Sequence, residues 1–114
     1  MDFHTTDIRE RKQDLQRMAS NSLRATEFLK ALAHQSRLLI LCILAEGERS
    51  VSELEEILSL RQPTVSQQLA RLRADGLVAT RRDGKAIYYR LASEEARVVI
   101  GAVYDVFCRK ARKR

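Results

Sequence analysis

Apolar positions recur at helical spacing through the first third of the chain. Leu15, Met18, Leu23, Phe28, Leu29 and Leu32 predict a helix from Thr6 to about Ala33, broken or bent at Asn21-Ser22. Residues 1–6 read as a loose end. The run Leu38 to Ala45 then predicts a helix from Ser36 to Glu46, stopped at Gly47 and buried nearly all round. Ser50 and Glu53 form a Ser-x-x-Glu capping box. It opens a short helix ending near Leu58, with Val51, Leu54, Ile57 and Leu58 facing inward. Ser59-Leu60-Arg61 is a turn, and Gln62-Pro63 starts a fourth helix, since proline is tolerated in a first turn. That helix carries Val65, Leu69 and Leu72 on one face and ends at Asp75-Gly76. The apolar period then changes. Leu77 to Arg82 and Lys85 to Leu91 read as strands, and Asp83-Gly84 between them predicts a two-residue hairpin. Ser93 caps a last helix, with Glu94 and Glu95 at its positive end. It runs through Val98, Val99, Ile100, Val103, Val106 and Phe107. Its apolar arc is too wide for one buried face, which predicts a dimer interface built from the first and last helices.

The pattern predicts a mainly α fold with a β-hairpin wing, a winged helix-turn-helix. With 114 residues, a single domain over 1–114 fits. Composition narrows the class. The chain is 45% hydrophobic and 32% charged, which suits a globular protein. The apolar run Leu38 to Ala45 is too short to span a bilayer, and Met1-Asp2-Phe3-His4 does not open a signal peptide. The expectation is a cytoplasmic protein with no membrane partner.

Charge adds a direction. The net charge is +6, unevenly spread. Residues 61–90 hold seven basic groups (Arg61, Arg71, Arg73, Arg81, Arg82, Lys85 and Arg90) against Asp75 and Asp83. The tail from Arg109 to Arg114 adds five more and no acid. A contiguous positive segment is what phosphate contact requires, although a solvated basic face looks the same on charge alone. In the helix-turn-helix frame the fourth helix lies in the major groove. With Val65, Leu69 and Leu72 turned inward, its other face offers Thr64, Ser66, Gln67, Gln68 and Arg71. Gln pairs bidentately with adenine and Arg with guanine. Gln62 and Thr64 sit in the first turn, where a helix N-terminus meets phosphate. Arg81, Arg82 and Lys85 at the hairpin would hold the backbone or minor groove, and Arg61 supplies a further contact. The expected partner is double-stranded DNA.

Leu58-Ser59-Leu60-Arg61-Gln62-Pro63-Thr64-Val65-Ser66-Gln67-Gln68-Leu69, followed by Leu72-Arg73-Ala74-Asp75-Gly76-Leu77-Val78 and Tyr88-Tyr89-Arg90-Leu91, strongly resembles the ArsR/SmtB family of bacterial repressors. The resemblance covers roughly Leu23 to Phe107. It implies a homodimer that binds inverted-repeat operators and lets go when an inducer acts. Arg61 departs from the family pattern, in which many members carry a capping serine there. The substitution weakens the cap or adds a phosphate contact.

Many members of the family sense metals. One common site uses a Cys-x-Cys pair at the start of the third helix, where this chain has Ser50-Val51-Ser52. Another uses Asp and His on the last helix, which here offers Asp105 and no histidine. Cys42, Cys108, His34 and His4 suffice for zinc by number but not by spacing. No metal site and no resident cofactor are expected.

The two cysteines, Cys42 and Cys108, read on their own as reduced core residues of an intracellular protein. One cysteine in the second helix and one in the last, without a metal site, resembles the persulfide-responsive subgroup of the family (the SqrR/BigR type). That resemblance implies a redox switch: sulfane sulfur or persulfide as inducer, a disulfide or polysulfide bridge between Cys42 and Cys108, and release of DNA. Arg109, Lys110 and Arg112 favour thiolate at Cys108, making it the first nucleophile and Cys42 the resolving thiol. His34, Phe28 and Tyr104 are expected near the thiols. Two rival readings are a dithiol oxidoreductase, which would normally show Cys-x-x-Cys, and a ligand-insensitive or metal-responsive DNA-binding protein with structural cysteines. No enzymatic constellation is present in the sequence.

Overall fold

The computed structural model describes residues 7–59 and 62–108, without the side chains of Gln62, Pro63 and Cys108. The chain divides into two compact units, one ending at Leu32 and one beginning at Ala33.

The first unit holds one helix, α1, Ile8–Leu32. Asp7 caps it, its carboxylate accepting from the Arg9 backbone N–H at 2.8 Å. The break expected at Asn21-Ser22 does not occur. The Ser22 hydroxyl donates to the Ala19 carbonyl at 3.0 Å, and Thr26 does the same to Ser22 at 2.7 Å. Such back-bonding satisfies the hydroxyls inside the helix. Leu15, Leu23 and Leu29 of its apolar set are exposed.

The second unit begins with α2, Gln35–Glu46. Ile40, Leu41, Cys42 and Leu44 are buried, as its nearly continuous apolar sequence requires. Helix α3, Val51–Leu58, begins in the capping box foreseen from sequence. The Ser50 hydroxyl accepts from the Glu53 N–H at 3.1 Å, and the Glu53 carboxylate accepts from the Ser50 N–H at 2.8 Å. This bonding holds the Glu53 carboxyl below its ordinary range. Leu54 is fully buried, but Ile57, expected inward, is half exposed. Ser59 closes the helix in the left-handed region, at φ 54°.

Helix α4, Gln62–Ala74, presents Val65, Leu69 and Leu72 to the core with no exposed surface. It stops in a Schellman motif: the Gly76 N–H bonds the Arg73 carbonyl and the Leu77 N–H bonds the Leu72 carbonyl. Gly76 takes φ +75°, which an L side chain resists, and this aims the chain into the wing.

The wing is β2, Val78–Asp83, paired antiparallel with β3, Ala86–Leu91. Asp83 pairs with Ala86, so the turn residues are Gly84 and Lys85, one position later than expected. The reason is local. Gly84 has φ +63° and occupies the first turn position, where both favoured hairpin turns need positive φ. A third strand was not foreseen. Arg49–Ser50 forms β1 and pairs with Tyr89 and Tyr88 of β3. Two residues carry no readable period, and Ser50 serves both this strand and the α3 cap.

Helix α5, Glu94–Val103, is capped by the Ser93 hydroxyl, which accepts from the Ala96 N–H at 3.0 Å. The expected single helix to Phe107 changes type instead. Tyr104–Cys108 is π-helical. Ala96 and Ile100 are buried, whereas Val98, Val106 and Phe107 are exposed, Phe107 by 80%. No single helix in the described residues is long and apolar enough to cross a membrane.

Candidate nucleic-acid interface and thiol pair

Burial of Val65, Leu69 and Leu72 decides which face of α4 is free. Thr64, Ser66, Gln67 and Arg71 are exposed on it, and Gln68, expected there too, is half buried. The structure thus brings four of the proposed base- and phosphate-reading side chains onto one helix surface. Arg71 also forms an i,i+4 pair with Asp75 at 3.3 Å. Arg61 and the Gln62 side chain lie outside the described residues.

The wing cations do not share one environment. Arg82 and Lys85 are exposed and pair with no carboxylate among the described residues. Arg81 is held. Its Nε and one terminal nitrogen reach a single Glu48 oxygen at 2.8 and 2.7 Å, Asp83 lies at 3.8 Å, and its guanidinium sits 4.7 Å above the Tyr88 ring. The hydrogen bond from Arg81 holds the Glu48 carboxyl below its ordinary range and raises Arg81 in turn. Arg81 therefore fastens the wing to the segment before β1. Sequence reasoning missed this role, because Glu48 and Arg81 are 33 positions apart.

Cys42 is buried in α2, and Cys108 ends the π-helical segment, with its side chain outside the described residues. The same segment begins at Tyr104, whose hydroxyl donates to the Glu46 carboxylate at 2.8 Å. Glu46 closes α2 and its other oxygen faces Arg49 at 3.7 Å. Tyr104 lies on the segment that ends at Cys108, and its expected place beside that thiol falls on a side chain outside the described residues. His34 does not lie near Cys42. It is the N-cap of α2, eight residues earlier and about 12 Å along the helix axis. Phe28 lies in α1, in the other unit. His4 and the tail 109–114 lie outside the described residues. Among the described residues no three His, Cys, Asp or Glu side chains gather as a metal site.

Known proteins similar to this chain narrow its function. The family model of bacterial regulatory proteins of the arsR family matches residues 34–80, from the α2 cap into the wing. A biofilm growth-associated repressor of Agrobacterium fabrum is 56% identical over 88 residues, covering 75% of each chain. The crystal structure of the transcriptional repressor BigR from Xylella fastidiosa is 41% identical with a TM-score of 0.79, covering 87% of this chain and 98% of that one. A homodimeric winged helix-turn-helix DNA-binding domain from Mycobacterium bovis is 31% identical with a TM-score of 0.67, covering 85% of this chain and 94% of that one. Such relatives are transcription regulators and not enzymes. Fold, exposed α4 face, basic wing and kinship agree: this chain belongs to the ArsR family of bacterial regulatory proteins and is a DNA-binding winged-helix repressor with the repressor BigR among its relatives.

Proposed function

We propose that the protein is a homodimer that holds inverted-repeat operators when its thiols are reduced and releases them when Cys42 and Cys108 become bridged by sulfur. The observation that carries the switch is the Tyr104–Glu46 hydrogen bond. It runs the C-terminal segment beside α2. Cys42 stands four residues before Glu46, and Cys108 four residues after Tyr104. About one helical turn outward from the hydrogen bond, along both elements, lie the two cysteines.

The chemistry balances with a persulfide, RSSH, as oxidant. Cys108 thiolate attacks the sulfane sulfur and becomes a persulfide, releasing the thiol RSH. Cys42 thiolate then attacks the Cys108 sulfur and expels that sulfane sulfur as hydrogen sulfide. Two thiols and one RSSH thus give a disulfide, hydrogen sulfide and RSH, with two electrons passing from the cysteines to sulfur. A second RSSH, spent before closure, leaves one extra sulfur in the bridge. A direct disulfide needs Cα atoms within about 7 Å, and a longer sulfur bridge relaxes that demand.

Dimerisation supplies two recognition helices for two half-sites. It is supported by the homodimeric Mycobacterium bovis relative and by Val98, Val106 and Phe107, an apolar set that one chain leaves exposed. The test is a band shift with a duplex selected from a random library by the reduced protein. The protein is treated separately with sodium tetrasulfide, hydrogen peroxide and zinc, with mass spectrometry of the cysteines. Loss of binding with tetrasulfide, together with a Cys42–Cys108 bridge, is expected. Loss of binding with zinc alone would favour metal sensing, and no change under any treatment would remove the switch.

A further inference from the structure

We infer that the turn Glu46–Arg49 is the coupling element between the cysteine-bearing segment and the wing, with Tyr104 and Glu46 as positioning residues. The inference rests on the thiol-switch reading above and names the path by which it would reach DNA.

Three of its four residues, Glu46, Glu48 and Arg49, tie three elements together. The Glu46 carboxylate accepts from the Tyr104 hydroxyl at the start of the π-helical segment. Its second oxygen faces Arg49. The Arg49 backbone pairs with Tyr89 of β3. Glu48 holds Arg81 of β2. Every strand of the sheet is thereby attached to this turn, and the turn is attached to the segment ending at Cys108.

An open cleft of about 370 Å3 runs beside the turn, lined by Leu44, Gly47, Glu48, Leu91, Arg97 and Gly101. Gly101 of α5 leaves open space where a side chain would stand. The Tyr104–Glu46 hydrogen bond is a directed link between the C-terminal segment and the turn. A π-helical turn is suited to transmit a pull. It holds one residue more than an α-turn, and return to α geometry would rotate Tyr104 relative to Cys108. Bridging Cys108 to Cys42 would act on this segment one turn from Tyr104. Movement of Glu46 would then re-aim Arg49, Glu48 and the wing cations.

The test compares the wild-type protein with Tyr104→Phe, which removes the hydroxyl and keeps the ring. Hydrogen exchange is measured on the reduced proteins, and affinity for the selected duplex is measured before and after sodium tetrasulfide. Coupling of this kind typically changes affinity about 5–150-fold. The expected result is faster exchange at Arg49, Arg81 and Tyr89 with α4 amides unchanged. Affinity of the reduced variant should stay within about threefold of wild type, and its tetrasulfide response should fall to a small part of the wild-type response. Unchanged exchange in the wing overturns the inference, and so does faster exchange with an undiminished response. If the wild-type protein itself does not respond to tetrasulfide, the thiol-switch reading fails. The exchange data then decide alone whether the turn links the segment to the wing. If α4 also exchanges faster, Glu46→Gln replaces the variant in the same comparisons. It keeps an acceptor for Tyr104 and removes the charge facing Arg49.

Discussion

Single residues do separable work in this protein. Gln67 and Arg71 stand on the exposed face of α4, so their replacement by alanine should relax sequence preference, at about 1–3 kcal/mol of discrimination each. Competition between duplexes carrying single base changes measures it. Arg82 and Lys85 belong to the other class. Replacing either should weaken binding uniformly across sequences and lower the salt dependence by about one counterion. Arg81, by contrast, is engaged with Glu48 inside the protein. The Glu48 carboxyl is depressed, so its contribution to stability is present above the ordinary carboxylate value of 4.5 and is lost as pH falls through the lower folded value. Glu48→Gln should therefore melt below wild type at neutral pH, and the gap should close in strong acid. Calorimetry at both pH values checks it; a gap that widens in acid contradicts the assignment.

Elements explain what could be read from the sequence. The capping box at Ser50 and Glu53, the apolar α2 and the Val65-Leu69-Leu72 face are local signals, and each appears where its residues predict it. Ser50→Ala should cost about 1 kcal/mol in denaturant unfolding, since it removes the cap of α3. The misses have physical reasons. Strand β1 is two residues long and exists through pairing with Tyr88 and Tyr89, some 38 to 40 positions away in sequence. The π-helical change at Tyr104 has no period of its own to reveal it. In the candidate site, the polar face of α4 was legible because its opposite face is apolar. The division between held Arg81 and exposed Arg82 and Lys85 was not, because it depends on Glu48 in another part of the chain. His34 precedes Cys42 by eight residues, about two turns of α2, which is too far for a direct neighbour.

For the whole molecule, association and release are the properties to explain. Val98, Val106 and Phe107 are the apolar surface the dimer is expected to cover. Phe107→Glu should shift the protein towards monomer in sedimentation, and weaken operator binding because half-sites are then occupied singly. The central claim is that one thiol pair decides whether the α4 face and wing hold DNA. The measurement that tests it most directly is the dissociation constant for the selected duplex by fluorescence anisotropy at fixed salt, reduced against tetrasulfide-treated, for wild type, Cys42→Ser and Cys108→Ser. The account predicts a loss of about 5–150-fold for wild type, in the usual range of such coupling, and no loss for either serine variant. Equal affinity of reduced and treated wild type, or an equal loss in a serine variant, would contradict it.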